Sequence, residues 1–227
     1  MSSVFFILGA GASVDSGLYT YRDANRKYDN YDEIVELLDG SKWNDNKYKI
    51  WNYLEEFNNE VNKTQLGETY KLIDKLYKKF PKSFVLTQNI DGLIKNINVP
   101  SIEIHGNLKH MKCILCDKMY DINFKNKYCS CGELCKPNVI LYNEDLDKTK
   151  VDEIYKLIKK NKPTYLIVIG TSLQFSYLDT LIKKSKVQKI KRYYINLDET
   201  YKCAKGENFI CTSSNEGLCL VSNIIKI

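Results

Sequence analysis

Four apolar runs, each broken at its C-terminal end by glycine or a polar side chain, constrain this chain more than any other feature. They are Val4–Leu8 before Gly9, the run 84–86 before Thr87, Tyr165–Ile169 before Gly170, and the run 193–197 with its polar Asn196 before Asp198. Short runs that are apolar on both pleat faces read as strands buried on both sides, as in a parallel sheet. Helical stretches lie between them, over residues 31–38, 49–61, 64–80, 151–160 and 178–184. In 49–61 the apolar face is Ile50, Tyr53, Leu54, Phe57 and Val61, and Pro81 stops the helix of 64–80. Residues 44–46 read as a loop, 137–144 as extended, and 209–211 and 218–225 as a last strand and helix. Strands alternating with helices predict an α/β fold with a doubly wound parallel sheet. Ligands of such sheets bind at the C-terminal ends of the strands, where these glycine and polar residues stand.

The first of those ends is Gly9-Ala10-Gly11-Ala12-Ser13. A strand running into Gly-x-Gly opens many nucleotide-binding units: the glycines let backbone approach phosphate, and the next helix offers unpaired N–H groups. Val14 stands where the dinucleotide fingerprint has a third glycine, so the segment alone also fits a tight strand-to-helix turn. Convergence of four such strand ends favours the ligand site. Arg22, one of three arginines, follows at once and suits pyrophosphate or ribose oxygens; the bland alternative is a surface ion pair.

Residues 87–116 concentrate the chemistry. Thr87-Gln88-Asn89-Ile90-Asp91 is followed by His105-Gly106, and then by Cys113 and Cys116. With Cys129 and Cys131 the spacing is Cys-x2-Cys-x12-Cys-x-Cys, which suits tetrahedral zinc; reduced, unliganded thiols are the alternative. Cys135 is a spare candidate ligand, and His110 could cap the site. Cys203, Cys211 and Cys219 read as small, partly buried residues. Net charge is +6, carried by scattered lysines, with no arginine-rich or aromatic-interleaved patch for nucleic acid. No apolar run reaches the roughly 20 residues of a membrane span, and residues 1–13 lack the basic start of a signal peptide. The expectation is a non-secreted protein of the cytoplasm (or nucleus, in a eukaryote), a monomer by default.

In order along the chain, these motifs resemble the sirtuin family of NAD-dependent protein lysine deacylases. Residues 9–13 are similar to its GAGxS, and 16–22 to its SGIPDFR in the form SGLYTYR. TQNID, the catalytic HG, the paired cysteines, a strand like RPxVVxFGE at 137–144, GTSLQ at 170–174 and Ile195-Asn196 follow. The resemblance implies NAD and zinc as cofactors and an acyl-lysine protein or peptide as partner. It implies His105 as general base, with Asn89 and Asp91 beside the nicotinamide and ribose. NAD would also meet Gly9, Ala10, Gly11, Ala12, Ser13, Tyr21, Arg22, Gln88, Ile90, Gly170, Thr171, Ser172, Asn196, Leu197 and Ser214. Zinc would be structural, on Cys113, Cys116, Cys129 and Cys131, and substrate would meet Val139, Ile140, Tyr142, Asn143, Leu54 and Phe57.

Departures from the family pattern bear on substrate. Tyr21 replaces an aromatic with an aromatic, Lys136 replaces arginine, and Tyr142-Asn143 replaces Phe-Gly in the substrate strand, where asparagine restricts backbone approach. One branch of the family grips acyl carboxylates through Tyr-x-x-Arg, where this chain aligns Leu54 and Phe57, and no arginine lies between Arg26 and Arg192. The implied nucleotide-binding domain takes 1–26, 64–110 and 137–227, and a small helical and zinc-ribbon domain takes 27–63 and 111–136. The alternatives are an ADP-ribosyltransferase or NAD glycohydrolase on the same scaffold, and a non-catalytic zinc-ribbon module.

Overall fold

All five residues of the first strand are buried, which requires hydrogen-bonded neighbours on both edges and packed layers on both faces. The computed structural model, which describes residues 2–20, 31–171, 180, 190–199 and 206–225, supplies both. In chain order the elements are β1 (Val4–Leu8), α1 (Tyr31–Leu37), α2 (Trp43–Val61), α3 (Glu68–Lys79), β2 (Phe84–Thr87), β3 (Ser101–Glu103), β4 (Gly106–Cys113), β5 (Met119–Asp121), β6 (Cys135–Val139), α4 (Lys148–Asn161), β7 (Tyr165–Ile169), β8 (Lys191–Asn196), β9 (Glu207–Cys211) and α5 (Ser214–Ile224). A six-stranded sheet runs β3-β2-β1-β7-β8-β9, and every pairing in it is parallel.

The pleat sorts β1 between two cores. Val4, Phe6 and Leu8 join Tyr70, Ile73 and Leu76 of α3 and Leu218 and Val221 of α5. Phe5 and Ile7 join Ile154 and Ile158 of α4 on the other face. Each such aliphatic or aromatic side chain contributes about 1.5–3 kcal/mol when taken from water. Among the described residues no helix is long and apolar enough to cross a membrane.

Several local expectations need correcting. Residues 44–46 are the first turns of α2, anchored by the buried Trp43, because a buried aromatic outweighs the weak helix propensity of Asn-Asp-Asn. The helix expected over 64–80 starts at Glu68, where Asp15 Oδ2 accepts from Thr69 N at 2.7 Å and so caps its first turn from another part of the chain. The segment after the first glycines is a 3-10 helix, Ala10–Ser16, rather than an α-helix. Cys211 and Cys219 are exposed, not partly buried. Cys203 and most of the helix expected over 178–184 lie outside the described residues.

A three-stranded antiparallel sheet, β5-β4-β6, forms with α1 and α2 a second core around Trp51. Trp51 is fully buried, donates from Nε1 to the Cys135 carbonyl at 3.0 Å, and meets Phe124 edge-on. It is the joint between α2 and the cysteine-bearing strands. Trp51→Ala is expected to lose about 3–5 kcal/mol of unfolding free energy, read from urea denaturation. An unchanged urea midpoint would show that the joint carries no weight.

Candidate functional site

At the C-terminal ends of β1, β2, β7 and β8 the chain leaves a cleft of about 1300 Å³. Its floor is a hydrogen-bond network centred on Asn89. After β2 the Thr87 hydroxyl accepts from Asn89 N at 3.0 Å and turns the chain. Asn89 Nδ2 then donates to Gly9 O and Ser13 Oγ, both at 3.0 Å. Ser13 Oγ donates to Asp91 Oδ2 at 2.7 Å, and Asp91 Oδ1 accepts from Leu93 N at 2.9 Å. Ser13 has only one hydroxyl proton, so across the 2.8 Å contact Tyr70 must be the donor. The order Tyr70 to Ser13 to Asp91 is therefore set. Burial pushes the Asp91 carboxyl above the usual range, against the pull of Ser13 and Leu93. Burial, then the Asp91 charge, keeps Tyr70 a neutral phenol.

His105 follows β3 and stands beside this network. Its Nδ1 lies 3.0 Å from Gln88 O, and a carbonyl only accepts, so Nδ1 carries the proton and Nε2 is the basic nitrogen. Burial holds the imidazole below 6.5, and the Lys150 ammonium, which donates to Glu103 O at 2.7 Å, adds to this. Gly106 adopts φ 82, and a side chain there would overlap the Asn138 carbonyl, which explains the glycine after His105. Ile140 N donates to His105 O at 2.8 Å and so ties the stretch after β6 to the histidine. Gln88 is oriented by Thr171 Oγ1, which donates to its Oε1 at 2.9 Å.

The remaining residues named from sequence fall mostly on the same cleft. Gly9, Ala10, Gly11, Ser13, Gln88, Ile90, Gly170, Thr171, Asn196, Leu197 and Ser214 line it. Ala12 faces the core behind the wall. Tyr21, Arg22 and Ser172 lie outside the described residues. Gly9 N donates to Ile169 O at 2.9 Å and Gly11 N to Gly170 O at 3.0 Å, so these two amides are spent on the end of β7 and the residue after it. A side chain on Gly9 or Gly11 would overlap Gly170, so glycine lets backbone meet backbone here. Ser214 Oγ donates to Gly11 O at 2.8 Å and brings α5 to the same loop.

Leu54, Phe57, Val139, Ile140, Tyr142 and Asn143 also line the cleft. Asn143 has φ 63, a left-handed conformation that asparagine adopts more readily than most residues. Among the described residues that line the cleft there is no lysine or arginine, while Asp15, Asp32, Glu144, Asp145 and Asp198 are present. Sequence reasoning missed Tyr70, which reads as a core position on α3. The one available signal was a hydroxyl on a buried helical face, which needs a partner. It also missed Lys150, for which helical periodicity offers no signal.

Cys113, Cys116, Cys129 and Cys131 place their sulfurs within 4.8 Å of one another. Zinc–sulfur bonds of about 2.3 Å in a tetrahedron set sulfurs about 3.8 Å apart. The separations Cys113–Cys131 of 3.6 Å and Cys116–Cys129 of 3.4 Å fit that ion. The Cys129 thiol is pulled down to about 5, first by the Cys131 amide and then by the Tyr120 hydroxyl. Cys135 is buried behind the set and not part of it, and His110 instead approaches Asp121 at 3.8 Å across the strands. Metal analysis is expected to find about one zinc per chain, and Cys116→Ala to lose both zinc and cooperative folding, since structural zinc energy is folding energy. Stoichiometric zinc in that variant would exclude this ligand set.

Residues 9–176 match the Sir2 family. The NAD-dependent protein deacylase 2 of Pseudomonas aeruginosa is 30% identical over 189 residues, covering 77% of this chain and 73% of the relative. A solved Sir2 homologue in complex with NAD shares the fold at a TM-score of 0.84 and 21% identity, over 99% of this chain and 89% of its own. Sir2 in complex with an inhibitor, 2′-O-acetyl-ADP-ribose and a deacetylated p53 peptide gives a TM-score of 0.78 at 22% identity, over 98% of this chain and 93% of its own. With a family match that runs from the first glycines past the cysteines and beyond β7, and a relative at this identity over most of both chains, the chain belongs to the Sir2 family.

Proposed function

We propose that this chain is an NAD-dependent protein deacylase that removes acetyl or larger apolar acyl groups from lysine, transferring them to ADP-ribose with release of nicotinamide. The observation that carries this reading is the 2.8 Å bond from Ile140 N to His105 O. It ties the stretch that would hold the acyl-lysine main chain to the residue that would move the proton. A volume of about 1300 Å³ exceeds the roughly 300–1,000 Å³ of ordinary ligand pockets, which suits a dinucleotide and an acyl side chain together.

NAD, when bound, supplies an activated ribose carbon and a leaving nicotinamide. Asn89, Asp91 and Ile90 would line the nicotinamide and ribose end, with Ser13 and Tyr70 holding Asn89 and Asp91 in place. Gly9, Ala10, Gly11, Gly170, Thr171, Asn196, Leu197 and Ser214 would flank the rest of the cofactor, with Tyr21, Arg22 and Ser172 assigned by family likeness. His105 Nε2 would take a proton from a ribose hydroxyl, its tautomer held by the Gln88 carbonyl. Four thiolates leave zinc no open position, so its part would be structural. The nucleotide-binding domain would comprise 1–26, 64–110 and 137–227, and the small domain 27–63 and 111–136.

A base held below 6.5 is neutral at pH 7, so the acid limb of kcat/KM is expected below pH 6.5. Stability has the same sign: below 6.5 the unfolded chain binds a proton that the folded imidazole resists, so His105 destabilises the fold only as pH falls through that value. His105→Ala is expected to lower kcat about 10²–10⁴-fold while NAD still binds. Near-wild-type turnover would assign the base elsewhere.

Acyl choice follows from the cleft wall. A succinyl carboxylate would shed water there without a lysine or arginine among the described lining residues, at a cost of several kcal/mol. An apolar chain gains about 25 cal/mol per Å² buried against Leu54 and Phe57. Mass spectrometry of NAD products with one peptide carrying acetyl, myristoyl or succinyl lysine is expected to rank succinyl last in kcat/KM. Succinyl ranking first would overturn this choice of acyl group. Nicotinamide release without any acylated peptide would instead favour the glycohydrolase.

A further inference from the structure

Asp39 and Asn143 stand 104 residues apart in sequence, and Asn143 Nδ2 donates to Asp39 Oδ2 at 3.1 Å. The backbone pairs around this bond. Tyr142 N donates to Leu38 O at 2.9 Å and Gly40 N donates to Tyr142 O at 2.8 Å, forming a parallel bridge between Asp39 and Tyr142. Tyr142 spends both of its groups on the segment around Asp39. Leu141 spends its own on Glu144, with N–H to the carboxylate at 2.8 Å and C=O accepting from Glu144 N at 3.2 Å. The N–H and C=O of Asn143 have no hydrogen-bond partner among the described residues, and Asn143 lies on the cleft wall.

The direction in which those two groups point depends on a backbone at φ 63, a conformation few L-residues hold unaided. Asp39 is fixed in turn, because its Oδ1 accepts from Ser41 N at 2.9 Å and Ser41 Oγ at 2.7 Å. These bonds, then the Asn143 amide, keep its carboxyl ionised below the usual range.

We propose that the Asp39–Asn143 hydrogen bond is a latch that aims the Asn143 main chain at the substrate peptide, making both side chains positioning residues for peptide recognition. An extended peptide adding to this edge would gain its main-chain bonds from Asn143, and side-chain pockets would then set specificity. The inference rests on the deacylase reading.

Steady-state nicotinamide release with an acetyl-lysine peptide tests it. Asn143→Asp sets two carboxylates against each other and is expected to raise peptide KM about five- to tenfold, the size of one net hydrogen bond. The change should sit in peptide KM rather than in kcat or the KM for NAD. Asn143→Gly keeps the left-handed backbone, loses the latch, and is expected to raise peptide KM as well. Asn143→Asp combined with Asp39→Asn reverses donor and acceptor while the oxygen at position 39 still accepts from Ser41. That swap is expected to restore peptide KM to within about twofold of wild type. A flat KM in Asn143→Asp, or no rescue by the swap, overturns the latch alone if the wild type is peptide-dependent. A wild type that releases nicotinamide equally well without peptide overturns both the latch and the deacylase reading.

Discussion

One buried carboxamide ties the site together. Asn89 Nδ2 reaches the Gly9 carbonyl and the Ser13 hydroxyl, joining the ends of β1 and β2, and through Ser13 it meets Tyr70 on α3. A buried polar group left unpaired costs about 1–3 kcal/mol, so this network is stable only when complete. The same bonds that hold the strand ends together also present Asp91 to the cleft, and the carbonyl of the preceding Gln88 holds the histidine. Structure and chemistry share these groups, and any change at Ser13, Asn89 or Tyr70 is felt in both.

Around that point the sheet explains the cleft. β1 lies between β2 and β7, so their C-terminal ends converge, and the loop after β1 must pass close to Gly170. The absence of side chains on Gly9 and Gly11 is what lets it pass. Burial then does the electrostatic work: it raises Asp91, lowers His105 and keeps Tyr70 neutral. A neutral imidazole whose Nδ1 proton is held by a main-chain carbonyl has the proton inventory of a general base at neutral pH.

The cysteine-bearing sheet solves a different problem. β5 is largely exposed, and the buried residues of β4 and β6 join the core around Trp51 rather than a core of their own sheet. Its stability must come from Trp51 on one side and from metal coordination on the other. Through β4 and β6 that stability extends to His105 and Val139, since Gly106 pairs with Val139 at the base of the site. Zinc far from any proton transfer would therefore still bear on substrate positioning.

Much of this was written in local pattern. Val4–Leu8 and Tyr165–Ile169 are apolar at every position, which already demands a sheet covered on both faces, and the spacing of the paired cysteines already suits a zinc site. TQNID, HG and GTSLQ supplied Gln88, Asn89, Ile90, Asp91, His105, Gly170 and Thr171 to the cleft wall. Local pattern could not place what depends on meetings between distant segments. Asp15 capping α3, Tyr70 completing the Ser13 network and Lys150 behind His105 follow no periodicity, because each is chosen by a partner more than 40 residues away. The glycines show the same limit: their spacing announced a close approach, but only the pairing of β1 with β7 brought the Gly170 backbone against them. Sequence records which groups a chain can offer, and tertiary structure decides which of them are already spent, because a donor or acceptor satisfied inside the fold is no longer available to a ligand.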